Sequence, residues 1–207
     1  MENKKNLICF LGLANTGKGY NSQLYIEKGF KKISLADPLR DMLWDILGFK
    51  PNNILNYDKF KKSKLIIDIS NILFKKTVEI TTGRKLLQNL GSVMKNMFGE
   101  NFWVKKWYEK VIDSNCDVVV DDIRFPYEVK KAQSLSKNGY NVTFVWVCYE
   151  KANFKELLKD KHESEALAQF MYKNQEKYGL YDLCVINEIN MLKILKDFNK
   201  YNKNLNK

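Results

Sequence analysis

The stretch Leu7 to Gly19, LICFLGLANTGKG, constrains this chain more than any other. Five consecutive apolar residues, Leu7 to Leu11, stop at a glycine, as a strand buried on both faces does. Gly12-x-x-x-x-Gly17-Lys18 comes next, then a helical stretch to about Lys28 that Gly29 ends. In such a unit the glycines let backbone N–H groups turn inward around a phosphate, and the helix N-terminus adds positive potential. Lys18 reaches outer phosphates as a mobile point charge. One position departs from the pattern. Gly19 stands where such loops carry Ser or Thr, so no hydroxyl there can meet a magnesium ion. Tyr20 reads as a packing aromatic on the first helical turn. Ser22 is a substitute hydroxyl that helix geometry does not obviously aim at a metal. The backbone does most of the phosphate binding, so that capacity survives the change.

The rest of the chain repeats the alternation. Lys32 to Leu35 reads as a second strand. Ala36-Asp37-Pro38 opens a helix, with Asp37 as N-cap and Pro38 in the first turn. Residues 59–79 read as a weakly marked helix; 82–97 and 101–114 are stronger ones. Strands are expected at 117–121, 141–149 and 183–187, and helices at 126–137, 165–175 and near the C-terminus, fraying from Asn199. Strands separated by helices predict an α/β fold: a mostly parallel five-stranded sheet with helices on both faces. A single domain is expected over 1–207. Its core would be 1–39 and 115–200, with a helical insert at about 40–114. Ligands of such sheets bind at the carboxyl ends of the strands. The glycine loop, the Asp37 turn and Asp121/Asp122 all fall there.

Composition narrows the class. Hydrophobic residues make up 45% of the 207, enough for a core. No apolar run reaches the roughly 18 residues of a membrane span, and the apolar start is too short for a signal sequence. A cytoplasmic protein is expected. Cys9, Cys116, Cys148 and Cys184 form no CxxC pair and read as reduced, buried small residues. The net charge is +11, but only Arg40, Arg84 and Arg124 are arginine. The lysines are dispersed, so nucleic-acid binding is not expected as the main role.

Two motifs carry further chemistry. In TGRKLLQNLG, residues 82 to 91, Arg84 and Gln88 lie four apart on one helix face. A guanidinium can fork onto a phosphate and an amide can read a base edge; an arbitrary helix would instead carry them as a surface pair. Phe102, Trp103 and Trp107 could stack on a base, though composition alone favours core packing. In VVVDDIRFPYE, Asp121 and Asp122 end a buried strand, with Arg124 and Glu128 close behind. An acid at this place can lie near magnesium. N-capping of the Pro126 helix would need only one of the acids.

GRKLLQNLG, FGENFWVKKW, DDIRFPYE and the later HESE, in this order behind the glycine loop and ADPL, resemble the deoxynucleoside monophosphate kinases of bacteriophages. The similarity covers most of residues 7 to 165. It implies a phosphate-loop kinase fold, a three-layer sandwich with a monophosphate-binding insert and a small lid at about 150–176. It also implies transfer of the ATP γ-phosphoryl group to a deoxynucleoside monophosphate, with Mg²⁺, for DNA precursor synthesis. Carried over by position, Gly12, Asn15, Gly17, Lys18, Gly19 and Tyr20 would hold ATP. Arg84 would grip the monophosphate, and Gln88, Gly91 and Ser92 would shape the base site. Trp103 would line the nucleoside, with Asp122, Glu128 and, more weakly, Asp37 in the substrate site. Asp121 or Asp122 could reach the metal through water. Lys18, Arg84, Arg124 and Asp122 are the expected catalytic set. The lid departs from the family, since 150–176 has no arginine, and Lys159 and Lys161 would share its task with Arg124. Dimers occur among similar kinases, but no apolar stripe marks one here. The rival readings are a kinase of another small phosphorylated acceptor, of the phosphomevalonate type, and a nucleotide-binding module weakened in catalysis.

Overall fold

The computed structural model describes residues 4–48, 50–51, 54–68, 78–148 and 163–205. The chain divides into two compact units. One takes the residues up to Leu35 together with those from Val104 onward; the other is Ala36–Trp103.

The first unit is built on β1 (Lys5–Leu11), whose apolar run is buried almost completely. It pairs in parallel on both edges, with β5 (Val118–Val120) and with β6 (Tyr140–Val147). β2 (Lys31–Lys32) adds in parallel outside β5, and β7 (Leu183–Ile186) runs antiparallel along β6. The order is β2-β5-β1-β6-β7, the expected five-stranded, mostly parallel sheet. β2 is two residues long, not four, although Ile33 still donates to the Val119 carbonyl at 3.1 Å.

Alternation of side chains splits the sheet into two apolar faces. Ile8, Phe10, Val119, Val145 and Val147 face α1 (Lys18–Ile26), where Phe10, Tyr25 and Phe30 meet edge to face. Leu7, Cys9, Leu11, Val118 and Val120 face the other layer. That layer is α5 (Phe102–Ser114) from Val104 onward, α6 (Pro126–Ser134), α7 (Ala166–Lys173) and α9 (Glu188–Leu205). A one-turn helix, α8 (Gln175–Tyr178), precedes β7. Glycine stops occur where the sequence placed them, at Gly29 and Gly139. The C-terminal tail departs from expectation: α9 continues through Asn199 to Leu205. Met191, Ile194, Leu195 and Phe198 bury its apolar stripe, and the helix runs on beyond them.

The second unit holds α2 (Asp37–Leu47), α3 (Ile54–Lys62), a hairpin of β3 (Lys64–Asp68) with β4 (Val78–Thr82), and α4 (Gly83–Phe98). Leu43, Trp44, Phe60 and Leu87 form its core, with Trp44 edge-on to Tyr57 and Phe60. Of the helix expected over 59–79, α3 supplies 59–62, the hairpin replaces it at 64–68 and 78–79, and 69–77 lie outside the described residues. Leu65 pairs with Thr81 and Asp68 with Val78. The β-branched residues Ile66, Ile67, Val78, Ile80, Thr81 and Thr82 favour a pleated strand over a helix. Asp37 is not an N-cap either. Ala36 holds that position, and the Asp37 carboxylate bonds Arg40 Nη1 at 2.6 Å. Thr82 does cap α4, accepting from the Lys85 amide at 3.2 Å. No helix among the described residues is long and apolar enough to cross a membrane.

Trp107 ties the edge of the sheet to the helical layer. It is fully buried, and its indole N–H donates to the Ile33 carbonyl at 3.0 Å, just past β2. Trp107→Phe removes that donor and leaves a buried acceptor unpaired, so it should lower stability by about 1–3 kcal/mol. Urea denaturation measures this, and an unchanged midpoint would show that the contact does not hold β2.

Candidate active site

The loop after β1 is fixed by a close approach. Gly12 has φ +145°, and a Cβ on it would lie 2.3 Å from the Val147 carbonyl oxygen of β6. Only glycine fits there. Asn15 takes a left-handed φ of +59°, which asparagine tolerates better than most residues. Gly17, at φ +94°, turns the chain into α1 without a side-chain cap. A helix leaves the N–H groups of its first turn without intrahelical acceptors, here those of Lys18, Gly19 and Tyr20. Tyr20 is 74% exposed, so it is not the packing aromatic expected.

Lys18 is buried, and its ammonium donates to the Gly12 and Leu13 carbonyls at 2.8 and 2.6 Å. Burial pulls its pKa from 10.5 to about 8. The Arg124 charge adds to that pull, while Glu165, Asp121 and Asp122 oppose it. A buried ammonium therefore costs stability below pH 8, and the cost fades as pH rises toward 10.5.

The strand-end acids lie beside this loop. A Cβ at Gly19 would stand 3.7 Å from Asp121 Oδ2, so the usual loop hydroxyl would face that carboxylate. Ser22, fully buried almost one turn further on, faces it instead at 3.1 Å, and its hydroxyl also reaches the Gly19 carbonyl at 2.9 Å. Lys32 Nζ pairs with the same Asp121 oxygen at 2.5 Å. Asp122 Oδ1 accepts from the Leu35 amide at 2.8 Å and fixes the chain beyond β2. Among the described residues no group of three His, Cys, Asp or Glu could hold a metal. With Asp121 already paired to a lysine, these donors do not form a protein cage for Mg²⁺.

Glu128 is buried, and its Oε2 accepts from the Arg124 and Phe125 amides at 2.7 and 2.9 Å. Through that oxygen it caps α6 from the N3 position. The turn it fixes presents Arg124, whose Nη1 bonds Glu165 Oε1 and lies 3.4 Å from Ser164 Oγ. Glu165 Oε2 accepts from the Ala14 amide of the glycine loop at 3.2 Å. The sequence reading assigned no role to Glu165. Its signal was an acid in HESE, directly before an apolar helix. Lys159 and Lys161 lie outside the described residues.

In the second unit, Arg84 and Gln88 are both exposed on α4, as is Ser92 one turn on. Trp103 does not present a face for stacking. It is buried, and its indole N–H donates to the Gly91 carbonyl at 3.1 Å, propping α4. A cluster of cations gathers on α2, α3 and α4. Arg40 lies 5.2 Å over the Tyr57 ring and Lys61 4.5 Å over the same ring. The Asp58 carboxyl is held low by a hydrogen bond from Lys61, with Lys62 and Arg84 adding their charge. Arg40 Nε is buried and has no hydrogen-bond partner among the described residues. An N–H donor buried in this way suits an incoming anion. The sequence reading passed over Arg40, whose signal was its i+3 spacing from Asp37.

The model of the deoxynucleotide monophosphate kinase family matches residues 46–175. No curated protein matches the chain in sequence. Among solved structures, a dephospho-CoA kinase from Campylobacter jejuni is similar at 18% identity and a TM-score of 0.38, over 98% of this chain and 100% of that one. The family match takes in α4, the Asp121–Arg124 turn and Glu165, and spans more than half of the 207 residues. The chain belongs to the deoxynucleotide monophosphate kinase family.

Proposed function

We propose that this kinase transfers the γ-phosphoryl group of ATP to deoxynucleoside monophosphates, with Lys18 at the donor phosphates and Arg84 at the acceptor phosphate. The observation that supports it most is the glycine loop of a family member, where Gly12 cannot carry a side chain and a buried ammonium stands beside the helix N-terminus. Lys18 leaves the Gly12 and Leu13 carbonyls for the outer phosphates, exchanging neutral acceptors for anionic ones. Arg84 forks onto the acceptor phosphate, helped by Arg40, whose orphaned Nε–H has a donor to give. Gln88 reads the base edge. Arg124 faces the charge that spreads over the transferring group. The acceptor oxygen is already ionised, so no general base is required, and catalysis rests on positioning and charge. Mg²⁺ belongs to the substrate as ATP·Mg²⁺, where it neutralises phosphate charge, and Asp121 is the carboxylate nearest the loop.

A second reading keeps the kinase and changes the acceptor to another small phosphorylated molecule. Burial of Trp103 favours it, because the aromatic expected to line the nucleoside is packed inside the protein. A coupled ADP-release assay with ATP·Mg²⁺ against the four common deoxynucleoside monophosphates tests the first reading. No turnover with any of them, beside turnover of a non-nucleotide phosphate, would favour the second.

Two expected outcomes follow from these roles. Arg84→Ala should raise the acceptor KM about 10- to 100-fold, since a charged hydrogen bond to phosphate contributes about 1.5–3 kcal/mol. ATP affinity should stay within twofold, and normal acceptor kinetics would remove α4 from the site. The second outcome is a pH dependence. Below about pH 8 Lys18 is charged already; above it, ATP must draw a proton onto the amine. ATP affinity should therefore fall by up to about tenfold per pH unit above 8. Calorimetric titration between pH 7 and about 9.5 reads this, with Lys18→Met weak and flat. A flat wild-type profile would take Lys18 away from the phosphates.

A further inference from the structure

We propose that Glu165 is a positioning residue for phosphoryl transfer, which holds the Arg124 guanidinium beside the glycine loop. The inference rests on the reading of Arg124 given above.

Glu165 ends a short 3-10 turn, Glu163–Glu165, that leads into α7. It is only 4% exposed. A carboxylate so buried persists only when its oxygens are matched by donors or opposite charge. Here the two oxygens are divided between two parts of the site. Oε2 accepts from Ala14 N in the loop, and Oε1 accepts from Arg124 Nη1. One carboxylate, 151 residues beyond Ala14, therefore ties the α6 turn to the phosphate loop.

Arg124 is anchored twice. Its amide donates to Glu128, which fixes where the side chain begins, and Glu165 fixes where it ends. The side chain keeps 40% exposure, so the guanidinium is held without being enclosed. A free arginine carries rotamer entropy, which a fixed one has already lost before a ligand arrives. Like charge also makes a restraint necessary. The Arg124 charge disfavours charge on Lys18, and Glu165 acts on Lys18 in the opposite sense. Arg124 is the one arginine of the sheet unit.

The test is a double-mutant cycle on the full chain: wild type, Glu165→Gln, Arg124→Ala and the pair, with Glu165→Asp keeping the charge on a shorter arm. A side-chain NMR spectrum accompanies it, since three arginines give three Nε–H signals. Glu165→Gln should lower kcat about 10- to 100-fold with both KM values within twofold. In the Arg124→Ala background it should add no further loss. The Arg124 Nε–H signal should move and broaden in Glu165→Gln, and Glu165→Asp should fall between. Equal losses from Glu165→Gln with and without Arg124 would overturn the proposal, as would unchanged or raised kcat. An Arg124 signal unmoved in Glu165→Gln would overturn it while leaving the role of Arg124 standing. Normal turnover by Arg124→Ala would instead defeat the role given to Arg124, and the proposal with it.

Discussion

Everything in the sheet unit follows from β1 being paired on both edges. Parallel neighbours on either side leave it no solvent edge, so its side chains must be apolar on both faces. The strand ends where β6 comes so close that only a hydrogen fits at residue 12. The loop must leave there in a left-handed or extended turn, and α1 must begin within a few residues. Parallel pairing also brings the end of β5 to the same side. That is why Asp121, Asp122 and Arg124 surround the loop although they lie more than a hundred residues further along the chain.

The site that results is a set of charges arranged in opposition. Lys32 and Ser22 hold Asp121; the Leu35 amide holds Asp122; Glu165 holds Arg124. Lys18 has uncharged carbonyls as its hydrogen-bond partners, and its pKa falls. A cation satisfied by neutral acceptors has the most to gain from a polyphosphate. Asp121, Asp122 and Glu165 each keep another group in place, and among the described residues no three such ligands gather for a metal.

Signals that act within a few residues could be read from the sequence. The β1 run, the glycine loop, the Thr82 cap of α4 and the stop at Gly139 each depend on immediate neighbours. The β3–β4 hairpin could not be read this way, because its alternation is short and flanked by lysines, and pairing joins residues separated along the chain. The same limit applied at the site. Lys18, Arg124 and Asp121 were recognisable by type and place. What each one touches was not, since Lys32 meets Asp121 across 89 residues and Glu165 meets Ala14 across 151. Glu128 shows the local kind of signal: an acid two residues past a helix-opening proline is a capping signal, and its substrate role rests on the family resemblance alone.

The missing loop hydroxyl now has a physical account. A serine or threonine at 19 would place its oxygen against Asp121, and that contact is supplied by Ser22, three residues later on the same helix face. The hydroxyl-to-carboxylate bond that links α1 to β5 is thus kept, while its oxygen has moved along the helix. Glycine at 19 leaves the first turn of α1 without a side chain at that position. Substituting threonine at 19 alone would bring a second hydroxyl to an acid already shared by Ser22 and Lys32. The loop and Ser22 therefore work as one arrangement, in which Asp121 serves α1 and β2 while Lys18 keeps to the loop carbonyls.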